Sequence, residues 1–216
     1  MEILKPKYPR TYHLPFSEAV FNDDKLADDF SMMDGEEVCV SIKKDGQCTT
    51  CTSDYIHARS AEMNSHESSA WVKQLHAKIR YMMNPNHRIC GENLYAKHSI
   101  HYKNLPDYFM CFNTWDRDTN MCHSWDETVE ICESLGLTTV EVVYRGIFDM
   151  DKIKAIFQNL DKEKEEGIVV RLARGFHYDE FQKCVMKAVR KGHVQTDQHW
   201  SHQKVVPNEL VQLSGD

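Results

Sequence analysis

The chain has 216 residues, 41% of them hydrophobic and 27% charged, with a formal net charge of −7. That is apolar material enough for one large α/β or α+β domain, and the negative balance excludes non-specific coating of nucleic acid. No stretch reaches the apolar length that spans a bilayer, and Met1-Glu2-Ile3-Leu4-Lys5-Pro6 lacks the apolar core of a signal peptide, which points to a soluble cytoplasmic protein.

In chain order, the first 35 residues hold Pro6, Pro9 and Pro15 and the acidic pairs Asp23-Asp24 and Asp28-Asp29, and read as loop with a short helix. The acids near Asp23 are assigned wholly to structure. Residues 36 to 59 alternate as three strands, Glu36 to Lys43, Gln47 to Thr52 and Tyr55 to Arg59. A helix capped by Ser68 or Ser69 follows, with Trp71, Leu75, Ile79 and Met82 at helical spacing as core positions. Arg88 to Tyr95 and Tyr108 to Asp116 read as two further strands. Ser124-Trp125-Asp126-Glu127 is a capping box that opens a helix ending near Gly136. A strand Thr139 to Tyr144, a helix carrying Ile153, Ile156, Phe157 and Leu160, and strands Gly167 to Arg171 and Lys183 to Arg190 complete the pattern. Runs of strands broken by a few helices predict an α+β fold of largely antiparallel sheets with flanking helices.

The eight cysteines sit singly on apolar or mixed segments, as reduced buried thiols do. Cys48-Thr49-Thr50-Cys51 is a CxxC, but no second pair follows and it lies in an alternating strand, so a structural role is expected over zinc or redox chemistry. The twelve histidines are scattered, and His98 and His101 share a segment without a clear ligand set. Positive charge collects at Lys5 to Arg10, Lys97 to Lys103 and Lys183 to His193. The last cluster reads as a strand presenting cations on one face, suited to a nucleotide phosphate.

Lys43-Lys44-Asp45-Gly46, after the alternating run Val38 to Ile42, places a lysine at a strand end. A lysine amine attacks phosphorus only when unprotonated, which calls for cationic neighbours, a metal or desolvation. The bland alternative is a solvated hairpin turn, which Asp-Gly favours. Three other segments carry unusual charge or aromatic character for strands. They are Gly91-Glu92-Asn93-Leu94-Tyr95-Ala96-Lys97-His98-Ser99-Ile100, Phe109 to Asp116, and Glu166-Gly167-Ile168-Val169-Val170-Arg171 with Lys187-Ala188-Val189-Arg190-Lys191 after it.

Taken in order, K-x-D-G, G-E-x-L, an aromatic strand, E-G-I-V-V-R and a lysine strand resemble the motifs of the covalent nucleotidyltransferases, the superfamily of ATP-dependent RNA and DNA ligases and mRNA capping enzymes. The segments GENLYAKHSI and VRKGHVQTDQHW look most like the RNA ligases of bacteria and bacteriophages. The resemblance covers roughly Tyr8 to Asn208 and implies an ATP-grasp-like nucleotidyltransferase domain. It implies that Lys43 attacks the α-phosphate of ATP to form lysyl-AMP, that Glu92 accepts hydrogen bonds from the ribose hydroxyls as an ionised carboxylate, and that Phe112 stacks on adenine. It further implies that Glu166 helps hold Mg2+ or Mn2+, that Lys187 meets the α-phosphate, and that Arg59 lies near the phosphate or sugar. AMP would pass to an RNA 5′-phosphate, and a 3′-hydroxyl would displace it and seal the strand.

The chain departs from the family pattern at Ile42, where many members have glutamate, and at Ala188 and Val189, where a second cation is common; Arg190 or Lys191 is expected to serve instead. About two dozen residues follow the last motif, so the expectation is a single domain over 1–216 without a C-terminal OB-fold. Sealing would then lean on the N-terminal segment, the Gln195 to His202 tail, or an accessory protein or oligomer. Two other readings stay open at this level. One is a nucleotidyltransferase with another acceptor or a GTP-using capping activity, and the other is a non-catalytic nucleotide or RNA-end binding module.

Overall fold

The computed structural model describes residues 6–60, 67–161, 163–192 and 205–212. Two sheets form its frame. The first has five strands in the order β1 (Tyr12–His13), β12 (Val185–Val189), β10 (Gly167–Leu172), β2 (Glu37–Lys43) and β9 (Val142–Ile147). All its pairings are antiparallel except β1 with β12. The second contains β11 (Phe176–His177), β7 (Met121–Cys122), β6 (Phe109–Asp116), β5 (His87–Asn93), β3 (Gln47–Cys51) and β4 (Ile56–Ala58), with β8 (Thr138–Thr139) joining β6 in parallel. Among the described residues four α-helices, α1 (Ala70–Ile79), α2 (Trp125–Ser134), α3 (Met150–Gln158) and the single turn α4 (Phe181–Cys184), complete the α+β fold. No helix among the described residues is long and apolar enough to cross a membrane.

Side-chain alternation explains why the first sheet has a core side and a working side. Val38 and Val40 of β2, Ile168, Val170 and Leu172 of β10, and Met186 and Ala188 of β12 are buried in one cluster with Ile153 and Phe157 of α3. The intervening positions Ser41 and Lys43, Val169 and Arg171, and Val185 and Lys187 line a cleft. Trp115 and Cys122 of the second sheet belong to the same cluster, so the two sheets share a core. A second cluster lies where Val72 and Ile79 of α1 meet Ile89, Phe109 and Cys111.

The Asp-Gly turn signal resolves into something other than a hairpin. Lys44, Asp45 and Gly46 carry the chain from β2 in the first sheet to β3 in the second. A Cβ on Gly46 would stand 2.6 Å from the Asn93 carbonyl oxygen, so only glycine lets the crossover lie this close to β5.

Elsewhere the structure corrects several expectations. The expected strand Thr139 to Tyr144 is two strands in different sheets, β8 and β9, broken at Val140 and Glu141. The expected strand from Lys183 begins only at Val185, after the turn α4. Among the described residues of the first 35 there is a strand, β1, and no α-helix. Met82, expected in the core, lies past the end of α1 and is exposed. Ser124 and Glu127 form the expected reciprocal capping box on α2. All eight cysteines are free, and the Cys48–Cys51 pair sits on β3 as the alternation predicted. The Gln195 to His202 tail lies outside the described residues.

Gly167 is the tightest point of the first sheet. A Cβ there would fall 2.0 Å from the Ala188 carbonyl oxygen, a backbone atom that cannot rotate away. Gly167→Ala is expected to push β12 off β10 and cost about 1–3 kcal/mol. In urea denaturation this appears as a lower midpoint with an unchanged slope.

Candidate active site

The two sheets enclose a cleft of about 700 Å³, within the range of small-molecule sites. Lys43, Arg59, Glu92, Phe112, Glu166 and Lys187 all line it, so the fold brings together every site residue expected from sequence. The first sheet contributes Lys43 and Lys187, and Glu166 directly precedes its strand β10. Glu92 and Phe112 come from β5 and β6 of the second, and Arg59 directly follows β4.

Lys43 is the last residue of β2 and pairs in register with Gly167, which brings Glu166 beside it. The Lys43 Nζ donates to Glu166 Oε2 at 2.5 Å, and the carboxylate side chain is only 8% exposed. Burial alone would push the Lys43 ammonium down. The charges of Glu166 and Glu92, the hydrogen bond to Glu166 and the charge of Asp45 together outweigh it, and the amine stands above its ordinary value. The cleft therefore holds the lysine as an ammonium.

Glu92 sits on β5 opposite Cys48. Burial pushes its carboxyl up to about 8, with Lys43 pulling down and Glu166 and Asp45 adding to the rise. Glu92 therefore carries its proton at neutral pH. Its proton makes it a donor as well as an acceptor.

Asp45 organises the neighbouring loop. Its Oδ2 accepts from the Ser99 and Ile100 amides at 2.7 and 3.2 Å, and its own amide donates to the Tyr102 hydroxyl at 2.8 Å. Lys44 lies 5.3 Å above the Tyr102 ring, a cation–π distance. The aspartate of K-x-D-G thus holds the segment that carries His98 into the cleft wall.

Phe112 meets Tyr8 edge to face, with centroids 5.1 Å apart. Behind it, Asn113 donates to the Tyr8 hydroxyl at 2.7 Å and accepts from Arg171 Nη1 at 2.6 Å. Arg171 also donates to the Leu172 and His123 carbonyls and is 3% exposed, so it ties β10 to the second sheet. Tyr8 and Asn113 were not singled out in the sequence; an aromatic among prolines gives no signal that it will wall a cleft.

Lys187 of β12 lies in register with Val169, on the cleft side. Its Nζ is 3.7 Å from Asp24 of the acidic segment. Burial, with the nearby Lys43, holds the Lys187 amine below its ordinary value. Neither substitute for the second cation lines the cleft. The Arg190 side chain turns to the Glu165 carbonyl, and Lys191 is exposed. Lys183 is in α4 and pairs with Asp29 at 2.8 Å. The basic cluster thus presents one lysine to the cleft in place of a cationic strand face. Ile42 is 3% exposed and forms part of the apolar wall.

Among the described residues no three His, Cys, Asp or Glu side chains converge as a metal cage. A cation at Glu166 would complete its shell with phosphate oxygens and water, as Mg2+ commonly does.

The family model described as RNA ligase matches residues 33–189, most of the chain. No curated protein matches at the sequence level. Solved structures of similar fold include an archaeal ATP-dependent RNA ligase, 15% identical with a TM-score of 0.59 over 85% of this chain and 48% of that one. A mutant Naegleria gruberi RNA ligase with ATP and Mn is 14% identical with a TM-score of 0.54, covering 90% of this chain and 63% of that one. The Naegleria gruberi RNA ligase with PPi is 16% identical with a TM-score of 0.52, covering 90% and 64%. The chain thus spans about half to just under two thirds of the structures it resembles.

The displaced Glu92 value has a consequence for stability. An unfolded glutamate ionises near 4.5, whereas the folded carboxyl keeps its proton to about 8. Over that window the unfolded state binds fewer protons, so stability falls as pH rises and levels off above it. Glu92→Gln cannot ionise, and its urea midpoint relative to wild type is expected to rise between about pH 5 and pH 8. A constant difference would mean that Glu92 titrates like an exposed glutamate.

Proposed function

We propose for this chain, which belongs to the RNA ligase family, the work of an ATP-dependent RNA ligase that joins RNA 3′-hydroxyl and 5′-phosphate ends. The observation that carries the reading is the Lys43–Glu166 pair, set 2.5 Å apart in a cleft shared with Glu92, Phe112 and Lys187.

In the first step the Lys43 ammonium loses a proton, for which Glu166 is the adjacent base. The nitrogen lone pair then forms an N–P bond to the α-phosphate of ATP. The bond to the bridging oxygen breaks, and pyrophosphate leaves with that electron pair. Lys187, across β10 from Lys43, balances charge building on the α-phosphate oxygens. Phe112 offers its ring to the adenine, Glu92 hydrogen-bonds the ribose, and Arg59 at the cleft mouth meets phosphate. A divalent cation held at Glu166, Mg2+ or Mn2+, would lower the proton affinity of Lys43 and neutralise the departing pyrophosphate.

In the second step a 5′-phosphate oxygen of RNA attacks the Lys43-bound phosphorus and the N–P bond breaks, giving RNA-adenylate. In the third step the 3′-hydroxyl attacks the RNA 5′-phosphate, and AMP leaves as the phosphodiester forms. Further contacts to the RNA are proposed to come from the N-terminal segment, the Gln195 to His202 tail, an accessory protein or a second copy.

Incubation with α-labelled ATP and Mg2+ is expected to label the protein covalently, and Lys43→Ala to abolish the label. Lys187→Ala is expected to slow labelling by about 10²-fold or more. Chasing the adduct with 5′-phosphorylated RNA should transfer AMP to the RNA. Labelling by GTP alone would turn the reading to a capping-type enzyme. RNA binding without any adduct would turn it to a binding module.

A further inference from the structure

Lys187 is held by a short chain of side chains that runs back into the N-terminal segment. β1 lies parallel to β12 with His13 directly opposite Lys187, so both side chains leave the same face of the sheet. Asp24 is placed between them: its Oδ1 is 3.7 Å from Lys187 Nζ and its Oδ2 is 3.3 Å from His13 Nε2. The Phe21 amide donates to the same Oδ2 at 3.1 Å. Neighbouring Asp23 pairs with Arg10 at the surface with its side chain 77% exposed, whereas Asp24 is turned inward at 17%.

Ser17 links the imidazole to the end of β12. Ser17 Oγ accepts from the Val189 amide at 2.9 Å and lies 2.8 Å from His13 Nδ1. The Ser17 hydroxyl also donates to the Val189 carbonyl at 3.3 Å, so the serine beside His13 is tied to the end of β12 by both bonds. Burial and the nearby Lys187 hold the His13 imidazolium below its ordinary value, so the ring is neutral at neutral pH. Burial would raise the Asp24 carboxyl, but the Phe21 amide, Lys187 and His13 outweigh it, leaving an anion. The backbone closes the arrangement: Leu14 donates to the Lys187 carbonyl at 2.7 Å, and Ala27 donates to the His13 carbonyl at 2.7 Å.

We propose that Asp24, held by the Phe21 amide beside His13, is a positioning residue that holds the Lys187 ammonium toward the cleft for nucleotidyl transfer. The inference rests on the ligase reading above. Asp24 touches no reacting atom; it acts through Lys187. It also competes with the incoming anionic nucleotide for that cation, so its loss should not weaken nucleotide binding. The contribution is made to charge that develops during the reaction, which places it in kcat.

The test is the rate of protein–AMP formation against ATP concentration. Asp24→Asn keeps the shape and the acceptor for Phe21 but removes the charge. It is expected to lower kcat about tenfold while KM for ATP stays level or falls. Asp24→Glu, still an anion with a longer reach, is expected to recover part of the rate. In a Lys187→Met background, Asp24→Asn is expected to cause no further loss, because its partner is gone. An unchanged kcat, a raised KM with kcat intact, or a full additional loss on top of Lys187→Met would each overturn the proposal. If Asp24→Asn does not fold, the Asp24→Glu variant and its additivity with Lys187→Met carry the same decision. If wild type forms no adduct, the ligase reading fails and this inference falls with it. If wild type labels normally and Asp24→Asn matches it, the positioning role alone fails.

Discussion

The pairing of Lys43 with Glu166 is the constraint on which the rest of the site depends. Two charges brought this close and largely out of water cost more in lost hydration than such a pair usually returns in stability. The surroundings carry the strain in protonation. Glu92, a second carboxyl near Lys43, keeps its proton to about 8, chiefly because it is buried, with the charges of Glu166 and Asp45 adding to the rise against the pull of Lys43. On the far side, Lys187 is held by Asp24 at 3.7 Å. Two of the cations that line the cleft, Lys43 and Lys187, are thus each paired with a carboxylate.

The architecture makes this possible because two separate sheets meet at one crossover. The first supplies the two lysines from β2 and β12, and the carboxylate partner directly precedes β10, the strand between them. The second supplies Glu92 and Phe112 from β5 and β6. Gly46 lets the connecting backbone lie against β5, and Asp45 holds the loop through Ser99 and Ile100. Arg171 bonds across from β10 to Asn113 and the His123 carbonyl, fixing the back wall. A substitution that shifts either sheet by an ångström would disturb the site without touching any residue that lines it.

Much of this was legible in the sequence, for reasons that differ by residue. Lys43, Glu92, Glu166 and Lys187 stand at strand ends or on alternating strand positions where a charge is unusual, and their order along the chain resembles that of the nucleotidyltransferase motifs. The fold class followed from strand periodicity, and the α2 cap from four residues. The break at Val140 and Glu141 was hidden because Thr139 to Tyr144 alternates well enough for one strand; only the tertiary assignment to two sheets divides it. Met82 continues the spacing of α1, yet the helix ends at Ile79, shortly before Asn84-Pro85, where proline disfavours helical backbone in its predecessor. Asp24 could not be told from Asp23, Asp28 or Asp29, since local composition does not say which acid turns inward. The protonation states of Lys43 and Glu92 depend on burial and on partners at long sequence separation, so no local pattern contains them.

The most direct test of the account is the titration of the Lys43 side chain in the nucleotide-free protein, read from the NMR shift of its ε-carbon with isotope-labelled lysine. In wild type the amine is expected to stay protonated beyond the ordinary lysine range, and Glu166→Gln is expected to bring it down markedly. A wild-type Lys43 that loses its proton at or below the ordinary lysine value, or that titrates identically in Glu166→Gln, would contradict the claim that this ion pair sets the state of the cleft.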